Sequence, residues 1–215
     1  MNRSWPGGVL AVAVAVLAGF LVPALPAWGG PPTDQLRASI DRVLKTLEDP
    51  ELKKESRARE RRKMVRKIAE EIFDFSETAK RSLALHWQAR TPAERDEFVQ
   101  LFGDLLERSY ISKIELFNGE KISFGGEAIV GDQAVVRSKI VTKQGTEIPV
   151  DYRMLKRGHR WLVYDVIIEG VSLVSNYRTQ FNKIIQTSSY EELVKRMKSK
   201  QGQSQEEEKR TSQKL

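Results

Sequence analysis

Side chains able to do covalent or metal chemistry are few in this sequence. It has no cysteine, which excludes a thiolate nucleophile, a disulfide framework, thiolate-held zinc or iron–sulfur clusters, and lipid attachment at a cysteine. The two histidines, His86 and His159, have no nucleophile beside them in sequence. No phosphate loop, dinucleotide fingerprint, Gly-x-Ser-x-Gly elbow or His-Glu-x-x-His pair occurs. Asp165 and Glu169 are the carboxylates worth a test. Four apart on an apolar strand, they share a face with Trp161, Val163 and Ile167, where a desolvated carboxylate serves as a general base. The alternatives are that Asp165 accepts a structural hydrogen bond or that the strand twists out of the core. No second acid or base can be named as its partner, so catalysis is the lesser reading.

Charge is the other chemistry on offer. Lys53–Lys67 reads KKESRARERRKMVRK, nine basic residues against two acidic. Such a run is either a solvated helix face or a contact for an acidic partner or anionic lipid. It lacks the interleaved aromatics of a nucleic-acid surface, so nucleic acid is not an expected partner.

The elements that hold these residues follow from hydrophobic period. Leu36, Ile40, Val43, Leu44 and Leu47 recur at helical spacing after Thr33, an expected cap, and Asp49-Pro50 stops the helix. A second helix is expected over Leu52–Phe73 and a short third over Ser76–Trp87. Thr91-Pro92-Ala93-Glu94 is a capping box that opens a long fourth helix, whose stripe runs from Phe98 through Leu101, Phe102, Leu105 and Leu106 to Phe117. After Gly119 the period changes to two. Strands over Ile122–Val130, Ala134–Lys143, Glu147–Lys156 and Arg160–Glu169 are separated by Gly131, Gly145 and Gly158, which predicts a four-stranded antiparallel meander. Helices return over Ser172–Thr187 and Tyr190–Met197. The class is α+β: N-terminal helices, a meander sheet and C-terminal helices.

Both ends fall outside this unit. Residues 1–29 read as a secretory signal peptide: Arg3, then the apolar run Val9–Val22, then Pro23, Pro26 and small residues that place cleavage after Gly29, with Ala24 and Ala27 as alternatives. The run is short for a membrane anchor, the other reading. Export without disulfides fits a bacterial periplasm. From Lys198 to Leu215 the only apolar residue is the last, so a disordered polar tail is expected. The folded domain is then 33–197. With 215 residues, 30% of them charged, the chain is too polar for a polytopic membrane protein.

Two segments, Phe73–Tyr110 and Val150–Phe181, resemble the MlaC family, periplasmic lipid-transport proteins also known for toluene tolerance. The specific part is Trp161-Leu-Val-Tyr-Asp165-Val, then Glu169-Gly-Val-Ser172-Leu-Val, then Asn176-Tyr-Arg178 and Phe181. Ala84 departs from it, since the family usually has glycine there. The resemblance implies a phospholipid carrier with no cofactor. Its implied partners are an inner-membrane ABC transporter complex with its MCE-type subunit and an outer-membrane lipoprotein complex. The acyl chains would sit in an apolar cavity between sheet and helices. A hopanoid or other apolar lipid is an alternative cargo, a small enzyme on a cone-shaped α+β fold an alternative function, and a pure adaptor a third. The lipid-binding candidates are apolar residues on elements expected to face each other: Phe98, Phe102, Tyr110, Val150, Tyr152, Val163, Val174, Tyr177 and Phe181.

Overall fold

The computed structural model describes residues 30–212, with side chains to residue 202. The export signal expected over residues 1–29 lies outside the described residues. Helix α1 (Pro31–Glu48) begins earlier than its apolar period suggests, because Pro31-Pro32 occupy the first turn, where no N–H is needed. Thr33 is therefore not the cap. It is 1% exposed and donates its N–H and hydroxyl to Glu127 of the sheet, at 2.8 and 2.6 Å. Asp49 ends α1 in an extended conformation before Pro50, and its carboxylate accepts the N–H groups of Glu51 and Leu52.

A 3-10 turn (Glu55–Arg57) leads into α2 (Ala58–Ile72), which buries Val65, Ile68 and Ile72. Asp74 caps α3 (Phe75–Leu83). The expected capping box opens α4 (Pro92–Glu115), with Thr91 and Glu94 exchanging hydrogen bonds.

Strands β1 (Lys121–Val130), β2 (Gln133–Val141), β3 (Glu147–Arg157) and β4 (Arg160–Ile168) pair in order as antiparallel neighbours. A two-residue β5 (Val171–Ser172) adds a fifth strand beyond β4. It was not visible as a strand because Glu169-Gly170 turns within two residues, both at positive φ. Helix α5 (Leu173–Thr187) follows at once, capped by Ser172. Helix α6 (Tyr190–Ser212) runs well past Met197. The polar tail expected to be disordered is helical as far as Ser212, where Lys, Gln and Glu, good helix formers, outnumber Gly202, the serines and Thr211. Gln201 reaches back to Asp104 on α4 at 2.6 Å.

Two irregularities set the sheet's faces. The register shifts between Phe124 and Gly126 in β1, and again in β4, where Tyr164 is the extra residue between Val163 and Asp165. Cross-strand partners share a face. The helix-covered face therefore carries four rows: Ile122, Ile140 and Ile148; Phe124, Ser138, Val150 and Ile168; Glu127, Val136, Tyr152 and Val166; Ile129, Ala134, Met154 and Val163. Two cores result. One packs α1 and α2 (Leu36, Ile72) on Val136, Met154, Trp161 and Val163. The other lies among α3, α4, α5 and α6, around Leu83, Phe98, Phe102, Phe181 and Leu193.

Candidate functional site

Seven of the nine apolar candidates fall into these two cores, and Val150 and Val174 are buried outside both. Phe98 and Phe102 of α4 meet Tyr177 and Phe181 of α5 in an aromatic cluster, with ring centres 5.0 Å apart for Phe102–Tyr177 and 5.6 Å for Phe98–Phe181. Their edge-to-face contacts are the favoured arrangement of ring quadrupoles. Tyr110 packs at the border of the cluster, two turns along α4. Burial, then the neighbouring Tyr177 hydroxyl, raises its phenol pKa. Val150, Tyr152 and Val163 lie on the helix-covered face of the sheet. Val174 is buried at the start of α5.

Exposure separates these residues further. Phe98, Phe102 and Val163 keep almost no accessible surface, whereas Tyr110 is half-buried. Tyr152 combines two properties that rarely coexist. It retains accessible surface, yet desolvation pushes its phenol up to about 12, against a smaller opposing effect of the Ser138 hydroxyl. Its hydroxyl end is thus withdrawn from water while other atoms of the residue keep surface. The other half-buried apolar residues on that face, Ile122, Phe124, Ile140, Ile148, Val166 and Ile168, together with Leu105 and Leu106 of α4, were not singled out from sequence. The bulge in β4 changes the phase that would have found Val166 and Ile168, whereas Ile122, Phe124, Ile140 and Ile148 follow plain alternation.

The carboxylate test fails on geometry. The bulge at Tyr164 turns Asp165 to the opposite face from Val163, where it pairs with Arg153 across the strands. Its carboxylate accepts hydrogen bonds from Arg153 at 3.2 Å, the Ser172 hydroxyl at 2.7 Å and the Val174 N–H at 3.0 Å. It ties β3, β5 and the first turn of α5 together, accepting through both of its oxygens. Glu169 sits exposed in the turn that follows. His86 pairs with Asn182 at 2.9 Å, and His159 is exposed between β3 and β4. No cluster of metal-ligating side chains occurs among the described residues.

The basic run is not a uniformly solvated face. Arg61 bonds Glu115 of α4 at 2.8 Å and the Leu52 carbonyl at 2.7 Å, and Arg62 joins the same carboxylate. Arg66 reaches Asp104 at 3.0 Å and Glu107. The acidic face of α4 neutralises much of the run. A groove of about 430 Å³ opens on the other side, between α1 and α2. Arg42, Lys45, Lys67 and a single acid, Asp49, rim it over Leu52, Met64 and Ile68.

This fold has known counterparts. The MlaC protein family matches residues 37–199, and the chain belongs to that family. Among relatives, it is 23% identical over 120 residues to the intermembrane phospholipid transport system binding protein MlaC of Haemophilus influenzae, covering 54% of this chain and 56% of that protein. It is 28% identical over 97 residues to toluene tolerance protein ttg2D of Pseudomonas putida, covering 45% of each. The chain thus aligns with about half the length of these two relatives. A solved structure of a phospholipid-binding protein from Ralstonia solanacearum, in complex with a phospholipid, superposes with a TM-score of 0.71 at 24% identity, over 81% of this chain and 98% of the other. That likeness establishes the shared α+β fold. Among the described residues no helix is long and apolar enough to cross a membrane.

Proposed function

We propose that this chain is a periplasmic phospholipid carrier. The observation that carries the reading is the set of half-buried apolar side chains on the helix-covered face of the sheet, Phe124, Ile140, Ile148, Tyr152, Val166 and Ile168. Family membership supports it, as do the phospholipid named for the Haemophilus protein and the phospholipid bound to the Ralstonia one. The physical need is large. A diacyl lipid carries on the order of 30 methylenes, each costing about 0.8 kcal/mol to expose to water. Crossing an aqueous gap therefore requires an apolar enclosure. Tyr110 and Tyr152, which keep surface, line it directly. Phe98, Phe102, Val150, Val163, Val174, Tyr177 and Phe181 stand behind as the packed wall. Cargo passes between an outer-membrane lipoprotein complex and an inner-membrane ABC transporter complex with its MCE-type subunit.

The basic groove between α1 and α2 gives the carrier a positive surface for an anionic bilayer or acidic partner. The test is organic extraction of protein purified from a periplasmic fraction, followed by mass spectrometry. About one phospholipid per chain is expected. Protein free of lipid from a lipid-replete cell, and unable to take up phospholipid from vesicles, would sink the reading.

A further inference from the structure

The start of α1 is built around one carboxylate. Gly30-Pro31-Pro32 opens the helix, and neither proline has an N–H. Asp34 N–H reaches the Gly30 carbonyl at 3.0 Å, which leaves Thr33 N–H as the donor in need of a partner from elsewhere. Glu127 supplies it. The Gly125–Gly126 bulge rotates Glu127 onto the helix-covered face, and its Oε2 accepts both Thr33 bonds at 2.8 and 2.6 Å. Its second oxygen lies against Gly30: a Cβ added there would overlap Glu127 Oε1. Standard bond lengths then put the Gly30 nitrogen within about 5 Å of that oxygen.

One carboxylate oxygen is thus used by Thr33, while the other faces the backbone of residue 30. We propose that the Gly29–Gly30 bond is the processing site and that Glu127 receives the α-ammonium which cleavage creates at Gly30. The proposal rests on the export reading above. The covalent step is hydrolysis by a signal-processing peptidase. Water adds across the amide, the C–N bond breaks, Gly29 leaves as a carboxylate, and the Gly30 amine takes a proton.

One contact and two electrostatic arguments support the assignment. Residue 30 is a glycine, and a side chain there would displace the carboxylate. The new cation arises beside an anion already held in place by two hydrogen bonds to a residue that is 1% exposed. That anion also offsets the repulsion between an ammonium and the positive end of the helix dipole. Processing would then strengthen the fold: the α1–β1 tie gains an ion pair that the unprocessed chain lacks.

The test is a double-mutant cycle on the mature chain from Gly30, with and without a Gly-Gly extension, each carrying Glu127 or the substitution Glu127→Gln. The amide keeps an acceptor for Thr33, so the fold survives. In the Glu127 background the extension should lower Tm by about 2–4 °C, the shift one half-buried ion pair gives a domain of this size. In the Glu127→Gln background it should lower Tm by less than half as much. Equal shifts in both backgrounds overturn the latch, whatever the export route. Separately, N-terminal sequencing of the exported protein should read Gly-Pro-Pro-Thr, and a different first residue overturns the processing site.

Discussion

Ala84 adopts φ 48°, ψ −116° where α3 ends, a backbone conformation that puts a Cβ under strain and suits glycine. The family's usual glycine at this place has a reason that sequence alone could not supply: the chain must turn sharply between Leu83, which is buried, and the 3-10 turn that carries Leu85 and His86. Ala84→Gly should therefore stabilise the protein. Relief of about 2 kcal/mol of strain, reduced by about 0.5–1 kcal/mol for the more flexible unfolded chain, leaves a Tm gain of about 2–6 °C by calorimetry. A neutral or destabilising result would show that the neighbouring turns relax instead. Tyr152 gives a second test at this scale. Its folded pKa of about 12 lies above the ordinary value of 10, so the folded state holds the proton that the unfolded state loses between those values. Stability is whole below pH 10 and should fall by up to about 1.4 kcal/mol per pH unit from there to pH 12. Urea unfolding across that window should show the fall, and Tyr152→Phe should flatten it, leaving the raised Tyr190 and Tyr110 to supply the remainder.

At the scale of elements, charge ties α2 to α4. Arg61 and Glu115 are both only 12% exposed, so neither partner has water to fall back on. Burial opposes the charge on Glu115, but hydrogen bonds from Arg62 and Arg61 together outweigh it and lower its pKa. This contribution is present above the ordinary carboxylate pKa and is lost as pH falls below about 4.5. Glu115→Ala leaves two guanidinium groups against an empty site and should cost about 1–3 kcal/mol in chemical denaturation at neutral pH. Disrupting the exposed Arg42–Glu71 pair by Glu71→Ala should cost much less. Similar losses for both would mean that α4 does not need these straps. The sequence shows the basic run and the apolar stripe of α4, but it cannot show that the acids at 104, 107 and 115 turn toward the run, because that follows from how two helices cross. The meander and the capping box were legible, since three glycine turns and Thr91-Pro92-Ala93-Glu94 are local signals. The faces of β1 and β4 were not. The β4 bulge inserts Tyr164 without a local mark, the Gly125-Gly126 pair that marks the β1 bulge went unread, and each residue after a bulge changes sides. Asp165 was misplaced for that reason, and Glu127 escaped notice.

For the whole molecule, the question is which apolar residues enclose a ligand and which are solid core. Periodicity treats both alike, since each is a buried stripe. The structure distinguishes them by retained surface: Val163 is 0% exposed among Met154, Trp161 and Ile72, whereas Leu106, Tyr110 and Tyr152 keep some. A cavity wall tolerates added volume at the expense of the ligand, and a packed core does not. Leu106→Trp should thus reduce the phospholipid recovered per folded molecule while shifting the Tm of lipid-free protein by no more than about 2 °C. Val163→Trp overpacks the sheet core and should cost about 1–3 kcal/mol with lipid content per folded molecule unchanged. Lipid itself links the two readouts. A ligand that binds only the folded state at 100 times its Kd adds about 2.7 kcal/mol, so lipid-loaded protein should melt about 5–10 °C above stripped protein. Leu106→Trp should shrink that gap, and Val163→Trp should preserve it. The reverse pattern, with Val163→Trp emptying the protein and Leu106→Trp unfolding it, would move the lipid to the space beneath α1 and α2 and make the α4 face the solid core.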